Sequence, residues 1–318
     1  MTITAAPPTM LAFDVEVVGV RRLGPSMVRV TFGGDCLSRF GDGGPLGPRD
    51  LRVKLMFPAP GAALPDLSDL SPGWYQRWLA FDPSVRGSMR TYTVRAARVA
   101  AADPQLDIDF VLHGDGGHAG PGSGWAAQAK VGQRLTVIGP HAGTTAYAGI
   151  EWQPPAPGAA APVRVVLAGD ETAVPAIGSI LDSLPRGYAG HALLEVPSAA
   201  DVLTVDAPAV ARGEVEVRWL ARGCRPRGEA LRAALLEVMA DHAGAVPPTT
   251  TELTEVDIDR EILWETAEGV RAADCYAWVA GEASAVRDLR RLLVGDLGVD
   301  RTQVAFMGYW REGRAESS

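Results

Sequence analysis

The heptad at residues 89–95, MRTYTVR, places reactive and aromatic side chains close together on one strand-like stretch. Arg90 carries a guanidinium, which is a natural bidentate partner for phosphate, and Tyr92 offers a ring against which a planar group can lie. Thr93 adds a hydroxyl beside that ring. A strand with solvated arginines is the alternative interpretation, because a single short motif is weak evidence. Arg95 is assigned only a structural role.

A glycine-rich segment follows at residues 113–129, HGDGGHAGPGSGWAAQA. It leaves a strand at His113 and enters a helix-like stretch, so backbone N–H groups at the helix start can bind phosphate. Ser123 can cap that helix or bond to the phosphate. A flexible surface loop is the alternative. The GxGxxA spacing inside the segment formally fits a dinucleotide fingerprint, but it lies outside a βαβ unit, and we discount it.

Acidic residues end the first strand of the second half, in LAGDETAVPAI at residues 167–177. Ligands of open α/β sheets gather at the carboxyl ends of strands, so Asp170, Glu171 and Thr172 lie where a ligand is expected. Asp and Thr are also common helix caps, and the two roles are compatible.

Arginines and aromatic residues mark two further segments. Arg222, Arg225 and Arg227 follow the third predicted parallel strand and suit a phosphate or a multiply acidic substrate, with a solvated loop as the alternative. Near the C-terminus, the adjacent Tyr309 and Trp310 either pack into the core or cover a planar ligand. The sequence has no G-x-S-x-G elbow and no Walker A loop, which are the usual signatures of acyl and phosphoryl transfer.

The elements that must position these residues change character along the chain. The first half holds short β-rich runs separated by Gly, Pro and Asp, which predicts an antiparallel barrel or sandwich. These runs lie at residues 13–23, 27–34, 50–58, 89–99 and 106–113. In the last of them apolar residues alternate with acidic ones, which predicts a sheet with one face in water. Residues 58–80 form a long Pro-rich excursion between two of the strands.

Residues 151–162, EWQPPAPGAAAP, are the best candidate for a linker. Beyond them, apolar strand-like runs alternate with helical patterns, which predicts a doubly wound parallel α/β domain. Residues 243–270 are an insertion, helix-like around DREILWETA. The predicted architecture is therefore an N-terminal antiparallel β-barrel over residues 1–150, followed by an α/β domain over residues 151–318.

Composition restricts the class of protein. The chain has 318 residues, a hydrophobic content of 47% and a net charge of −8, which argues against nucleic-acid binding as its main activity. No window has the length of apolar sequence that a membrane helix needs, and the N-terminus does not look like a secretory signal. Three distant cysteines and five scattered histidines indicate a reducing compartment and no metal site. We expect a cytoplasmic protein.

In their order along the chain, these segments resemble the siderophore-interacting proteins, which are FAD-dependent ferric-siderophore reductases of the ferredoxin–NADP reductase superfamily. The stretches that carry the resemblance are VKLMFP (53–58), MRTYTVR (89–95), H…GPGSGWA (113–126), GDETAVPAI (169–177), WVAGEA (278–283) and GYWREG (308–313). They span nearly the whole chain. The resemblance implies a barrel that binds FAD and a nicotinamide-domain-like α/β unit.

The resemblance also implies roles for residues. Arg90 would contact the FAD pyrophosphate, while Tyr92 and Thr93 would contact the flavin and its ribityl chain. The full implied cofactor set is Arg90, Thr91, Tyr92, Thr93, His113, Gly122, Ser123, Gly124, Trp125, Asp170, Glu171, Thr172, Ala173, Tyr309 and Trp310. Lys54, with Arg222, Arg225 and Arg227, is the candidate set for an anionic ferric siderophore. The implied reaction is hydride transfer from NADPH or NADH to FAD, then single-electron transfer to Fe(III).

Alternatives remain open from the sequence. Glu195, at the end of the second parallel strand, favours NADH, whereas the three arginines favour the 2′-phosphate of NADPH, towards which we lean. Ferredoxin is a further possible electron donor. A flavin or quinone reductase of the same superfamily, or a non-catalytic flavin- or siderophore-binding protein, are the competing functions. Neither the siderophore class nor the oligomeric state is predicted.

Overall fold

The computed structural model describes most of the chain in two compact units. The described residues are 9–63, 65–112, 120–158, 161–240, 256, 258, 261–267 and 275–313. They divide on either side of the bond between Ile150 and Glu151. Each unit has its own hydrophobic core and is described separately.

The first unit is a closed antiparallel barrel of six strands, which confirms the predicted β-barrel. The strands are β1 (Met10–Gly24), β2 (Met27–Gly33), β3 (Arg52–Phe57), β4 (Ser88–Arg98), β5 (Gln105–Val111) and β6 (Arg134–Pro140). Their order around the barrel is β1-β2-β5-β4-β3-β6, and β6 pairs with β1 to close it. β6 is absent from the strands that the sequence predicts.

Alternation along the strands builds the barrel core. The fully buried apolar side chains recur at every second position, as the two-residue period of a strand requires. They include Phe13, Val15 and Val17 on β1, Val28, Val30 and Phe32 on β2, and Leu106, Ile108 and Phe110 on β5. Closure removes the exposed sheet edges, so the interior is filled by side chains from all six strands.

The expectation of a water-facing side on β5 is wrong. Asp107 and Asp109 are only 6% and 4% exposed. Arg29 forms a two-bond salt bridge to Asp109 with N–O distances of 2.6 and 2.7 Å, and Arg98 bonds to Asp107 at 2.8 and 2.9 Å. Burial opposes ionisation of Asp107, but the hydrogen bonds from Arg98 and Thr31 lower its pKa overall. Arginines of neighbouring strands therefore cover this face.

Short helices decorate the barrel. They are α1 (Trp74–Leu79), α2 (Pro83–Arg86) and α3 (Pro121–Ala126), with 3₁₀ turns at Asp35–Arg39 and Gly44–Leu46. The Pro-rich excursion at 58–80 is thus partly helical. Within it, Trp78 of α1 is fully buried in a small cluster with Met56 and Ile138 on the outside of the barrel.

The second unit is built on a six-stranded sheet, which confirms the predicted α/β half. Its strands are β7 (Val163–Gly169), β8 (Tyr188–Val196), β9 (Val215–Ala221), β10 (Trp264–Glu265), β11 (Cys275–Glu282) and β12 (Val304–Trp310). The order is β10-β12-β11-β7-β8-β9. All neighbouring pairs are parallel except β10 with β12.

Helices connect these strands. They are α4 (Val174–Ser183), α5 (Pro208–Ala211), α6 (Glu229–Met239) and α7 (Ala283–Arg290), the last continuing as a π-helical segment over Arg291–Asp296. Further 3₁₀ turns lie at Ala199–Asp201 and Arg301–Gln303. Pro175 occupies the first turn of α4, where its missing N–H costs nothing. No helix in the described part of the chain is long and apolar enough to cross a membrane.

Two segments differ from expectation. The described part of the proposed linker is tied to the second unit, because Trp152 packs edge-on against Tyr276 at 5.1 Å between ring centroids and the Tyr276 hydroxyl donates to the Glu151 carbonyl. The helix-like stretch around 259–267 is not a helix in its described residues. Trp264 and Glu265 there form β10. Most of the insertion at 243–270 lies outside the described residues.

Candidate functional site

The heptad MRTYTVR forms the first half of β4, and β3 lies beside it. Arg90 pairs with Leu55, and Tyr92 pairs with Val53 across the antiparallel ladder. Lys54 lies opposite Thr91, and its Nζ donates to the Thr91 hydroxyl at 2.6 Å. The ladder therefore places the predicted substrate lysine directly beside the predicted flavin motif.

Tyr92 also contacts the glycine-rich segment. A Cβ atom built on Gly122 would overlap the Tyr92 hydroxyl, so a larger residue at this position of α3 would force the Tyr92 side chain to move. Residues 92 and 122 belong to two motifs separated by 30 positions in the sequence. The fold brings these motifs into direct contact, and a ligand site shared by them stays a prediction.

The other described residues that were predicted for this site lie on β4 and α3, close to Tyr92 or Gly122 in sequence. Thr93 and Ser123 are buried, with 7% and 6% of their surface exposed. Arg90 is half-buried, and its Nη1 donates to the backbone carbonyl of Met89 at 2.7 Å. Gly124 donates its backbone N–H to Gly120 within α3. His113 lies outside the described residues.

An aromatic cluster lies under Tyr92. The centroid of the Tyr92 ring lies 4.4 Å from the centroid of the Phe110 ring. Trp125 packs on Phe57 at 5.3 Å and stacks on Phe32 at 6.1 Å. In the structure Trp125 therefore joins the aromatic side chains that line this end of the barrel. Its proposed contact with a cofactor stays a prediction.

In the second unit, the strand order reverses direction at β7. The chain passes from β7 outwards to β8 and β9, then returns to β11 on the opposite side of β7. In open α/β sheets this reversal creates a crevice at the carboxyl ends of the two central strands, where ligands bind. Asp170 and Glu171 follow the last residue of β7, so they lie at that edge.

Asp170 is buried and heavily hydrogen-bonded. Its Oδ1 accepts the backbone N–H of Thr172 at 2.9 Å and its Oδ2 accepts the indole N–H of Trp310 at 2.9 Å. Burial, together with the negative charge of Glu171, raises the pKa of Asp170 to about 6. A carboxyl group with this pKa changes its charge near neutrality, which is typical of functional sites. Ala173 is fully buried and is the N-cap residue directly before α4.

Glu171 is held by two arginines. Arg222 donates to it at 3.0 and 3.4 Å, and Arg227 donates at 2.7 Å. Burial would raise the pKa of Glu171, but the hydrogen bonds and charges of the two arginines lower it overall. Arg222 also reaches Glu195 at 3.3 Å, and Glu195 is fully buried. The Arg222 guanidinium therefore bonds to two carboxylates of the chain itself, those of Glu171 and Glu195.

The predicted arginine cluster accordingly divides into two kinds of residue. Arg222 and Arg227 neutralise buried carboxylates, whereas Arg225 bonds to the backbone carbonyls of Ala221 and Arg222 within its own loop. Their role in binding an anionic substrate stays a prediction. Glu195 is fully buried, and its carboxylate bonds to Arg222 inside the protein.

The two aromatic residues of the tail have different surroundings. The Tyr309 ring stacks on Trp264 at 6.0 Å and meets Trp278 edge-on at 6.2 Å. Trp310 bonds to Asp170 and carries the Arg227 guanidinium over its ring at 4.6 Å from the centroid. Tyr309 therefore packs among aromatic rings, and Trp310 belongs to the charged cluster at the strand ends.

Two residues of this cluster are missing from the predicted site. Gly281 and Glu282 end β11, and the backbone N–H of Glu282 donates to Asp170 at 2.8 Å. A Cβ atom on Gly281 would lie 2.8 Å from Cγ of Asp170, and the residue has a φ of +149°, so glycine is required. The stretch WVAGEA was part of the resemblance, and a glycine directly before an acidic residue at a strand end was the available signal.

Comparisons with known proteins agree with this geometry. Residues 16–144 match a family model described as the siderophore-interacting FAD-binding domain, and residues 162–313 match the siderophore-interacting protein model. The structure is similar to that of the siderophore-interacting protein SipS from Aeromonas hydrophila, with a TM-score of 0.62, 30% identity and coverage of 97% of this chain and 95% of SipS.

Two further relatives place the chain more broadly. The ferric vibriobactin reductase ViuB of Vibrio cholerae is 27% identical over 304 residues, which are 96% of this chain and 91% of ViuB. Ferredoxin-NADP+ reductase from Plasmodium falciparum shares the fold with a TM-score of 0.55 at 10% identity, covering 92% of this chain and 94% of its own. The chain belongs to the siderophore-interacting protein family and has a ferredoxin reductase-like fold.

Proposed function

We propose that this protein is an FAD-dependent reductase that takes electrons from NADPH or NADH and reduces Fe(III) in ferric siderophores, so that Fe(II) is released. The observation that carries the proposal is the contact between Tyr92 and Gly122, which joins the two motifs of the flavin site within one barrel. The relationship to ViuB, a ferric vibriobactin reductase, supports the choice of substrate.

The residues of the barrel fit an FAD molecule. Arg90 is the group for the pyrophosphate, because a guanidinium binds phosphate oxygens through two parallel bonds. Tyr92 presents a ring and a hydroxyl, and the buried hydroxyls of Thr93 and Ser123 are hydrogen-bonding groups for a polar cofactor. When bound, FAD supplies the ability to accept two electrons together and release them singly.

Positively charged groups of the chain would attract the substrate. Lys54 lies on β3 beside the flavin motif, and its ammonium bonds to a neutral hydroxyl of Thr91. A ferric siderophore that carries negative charge is drawn to such a group, even though the protein has a net charge of −8. Fe(II) binds hard oxygen ligands more weakly than Fe(III), so reduction itself frees the metal.

The strand ends of the second unit would bind the electron donor. Glu171 forms ion pairs with Arg222 and Arg227 there, and the Arg227 guanidinium lies over the ring of Trp310. Glu195 is fully buried against Arg222. A buried carboxylate is poorly placed to accept a ribose hydroxyl, so we favour NADPH over NADH.

The test starts from the purified protein. It should be yellow, carry about one FAD per chain, and lose its flavin absorbance when NADPH is added without oxygen. Arg90→Gln should weaken FAD binding, while Arg95→Gln, on the same strand, is the matched control. A colourless protein that takes up no added FAD would end the proposal. Bleaching by NADPH with no reoxidation by any iron chelate would point to another electron acceptor.

A further inference from the structure

The carboxylate of Asp170 collects four hydrogen-bond donors from three elements. Its Oδ1 accepts both the backbone N–H and the hydroxyl of Thr172, at 2.9 and 2.5 Å, from the turn after β7. Its Oδ2 accepts the backbone N–H of Glu282 at 2.8 Å, from the end of β11, and the indole N–H of Trp310 at 2.9 Å, from the end of β12. One side chain thus joins the carboxyl ends of three strands.

The backbone is shaped around this carboxylate. The ladder between β11 and β12 is irregular after Gly281, so that Glu282 pairs with Trp310. Gly281 adopts a φ of +149° and lies so close to Asp170 that a Cβ atom would sit 2.9 Å from its Oδ2. Glycine is needed here because of its positive φ and because of the close contact with Asp170. The close approach of β11 to Asp170 therefore depends on this glycine.

Burial, and then the negative charge of Glu171, make the ionised form of Asp170 costly. Charged residues near it are Glu171, to which Arg222 and Arg227 bond, and Glu282, whose carboxylate accepts the backbone N–H of Glu312. Arg311, next to Trp310, donates to the Ile258 carbonyl. The two arginines bond to Glu171, and no ion pair among the described residues includes Asp170. Its pKa is raised to about 6 by burial and by the charge of Glu171.

We propose that ionised Asp170 is a positioning residue that fastens the indole of Trp310 to the strand ends, so that the position of Trp310 is coupled to a single proton on Asp170. Hydrogen bonds to a charged acceptor are about twice as strong as neutral ones. When Asp170 takes a proton, the Thr172 hydroxyl can turn to accept it, and the bond to Trp310 loses its charge assistance.

The consequence extends to Arg227. Its guanidinium lies over the Trp310 ring and bonds to Glu171, so a loosened indole also loosens this arginine. If the strand ends bind NADPH, which rests on the proposed function, the KM for NADPH rises as the pH falls through 6. Asp170→Asn at pH 7.5 should show a rise of about tenfold, which corresponds to the loss of charge assistance in one bond.

The bond itself is tested without activity. Protein labelled with ¹⁵N at its tryptophan indoles is titrated from pH 8 to pH 5, and the Trp310 signal is assigned by its absence in Trp310→Phe. We expect this signal to move with a midpoint near pH 6. Trp78 is the internal control, because its indole donates to the backbone carbonyl of Arg86, which does not titrate. Its signal should stay in place.

Two variants sharpen the result. In Asp170→Asn the Trp310 signal should rest at its acid position at every pH. In Glu171→Gln the midpoint should move to lower pH, because a neighbouring negative charge is gone. A wild-type Trp310 signal that ignores pH between 5 and 8, or one that still titrates in Asp170→Asn, would overturn the proposal. A protein with this titration but no reductase activity would refute only the proposed function.

Discussion

Removal of Arg222 should destabilise the second unit strongly. Arg222 is nearly buried, with 10% of its side chain exposed, and it bonds to Glu171 and Glu195, which are 3% and 0% exposed. Arg222→Gln keeps the first three carbons of the side chain and a hydrogen-bonding end, but it shortens the side chain and removes the charge. Two buried carboxylates would then face each other with less compensation.

The magnitude follows from what each carboxylate retains. Breaking a buried ion pair costs about 3–5 kcal/mol, because one charge stays buried without a partner. Glu171 keeps its 2.7 Å bond to Arg227, and Glu195 keeps only the backbone N–H of Gly228 at 3.0 Å. We therefore expect a loss of about 3 kcal/mol, at the lower end of this range. For a unit of this size that is a fall in Tm of about 6–12 °C.

Thermal and urea unfolding, followed by near-ultraviolet circular dichroism at pH 7.5, measure this loss. Arg218→Gln is the matched control, because Arg218 lies on β9, which ends directly before Arg222, and pairs with the exposed Glu216 and Glu237. Exposed pairs contribute about 0–1 kcal/mol. A loss no larger for Arg222→Gln than for Arg218→Gln would refute the reasoning.

The sign of the pH dependence gives a second check. The arginines lower the pKa of Glu171, so their stabilisation is present at neutral pH and is lost as the pH falls through that lowered pKa. The difference in unfolding free energy between wild type and variant should therefore shrink in acid.

The barrel carries two further predictions. Gly122→Ala should lower the fraction of protein that retains FAD, because the new Cβ overlaps the Tyr92 hydroxyl at a cost of about 1–3 kcal/mol. The double variant with Tyr92→Phe should recover part of this loss. Flavin content is the measurement, and Tyr92→Phe alone is the control. Lys54→Glu should raise the KM for an anionic ferric siderophore about tenfold, while Lys54→Arg and the NADPH–dye activity change little; an unchanged KM would contradict the role of Lys54.

Local patterns predicted most of the fold. The continuous apolar run of β7 and the period-two alternation of β5 identify strands without knowledge of their neighbours. The α4 helix follows from helical spacing and a proline in its first turn. The family resemblance, rather than local patterns, implied that the glycine-rich segment and the R-x-Y-T stretch share one site. Tyr92 lies against Gly122, and the flavin site itself stays a prediction.

Features set by distant partners were not predictable. The sequence pattern predicts that Asp109 faces water, but Arg29, which is 80 positions away in the sequence, forms a salt bridge with it. In the same way, Asp170 and Trp310 are 140 positions apart, and their bond depends on the order of the strands.

Short and irregular elements were also missed. The stretch around Trp264 has helical spacing, yet its strand exists only through pairing with β12. β6 is apolar over several residues, but its identity depends on closing the barrel against β1. Such elements are decided by tertiary contacts, which local sequence does not encode.

The most direct test of the proposed reductase is reoxidation of its reduced form. The protein is bleached with one equivalent of NADPH without oxygen and mixed in a stopped-flow instrument with ferric catecholate, hydroxamate or carboxylate siderophores. Gallium(III) complexes of the same siderophores are the control, because they have nearly the same shape and charge but are not reduced. We predict that flavin absorbance returns with at least one ferric complex and with none of the gallium complexes, as Fe(II) appears in a ferrozine assay. Absorbance that stays bleached with every ferric complex would contradict the account.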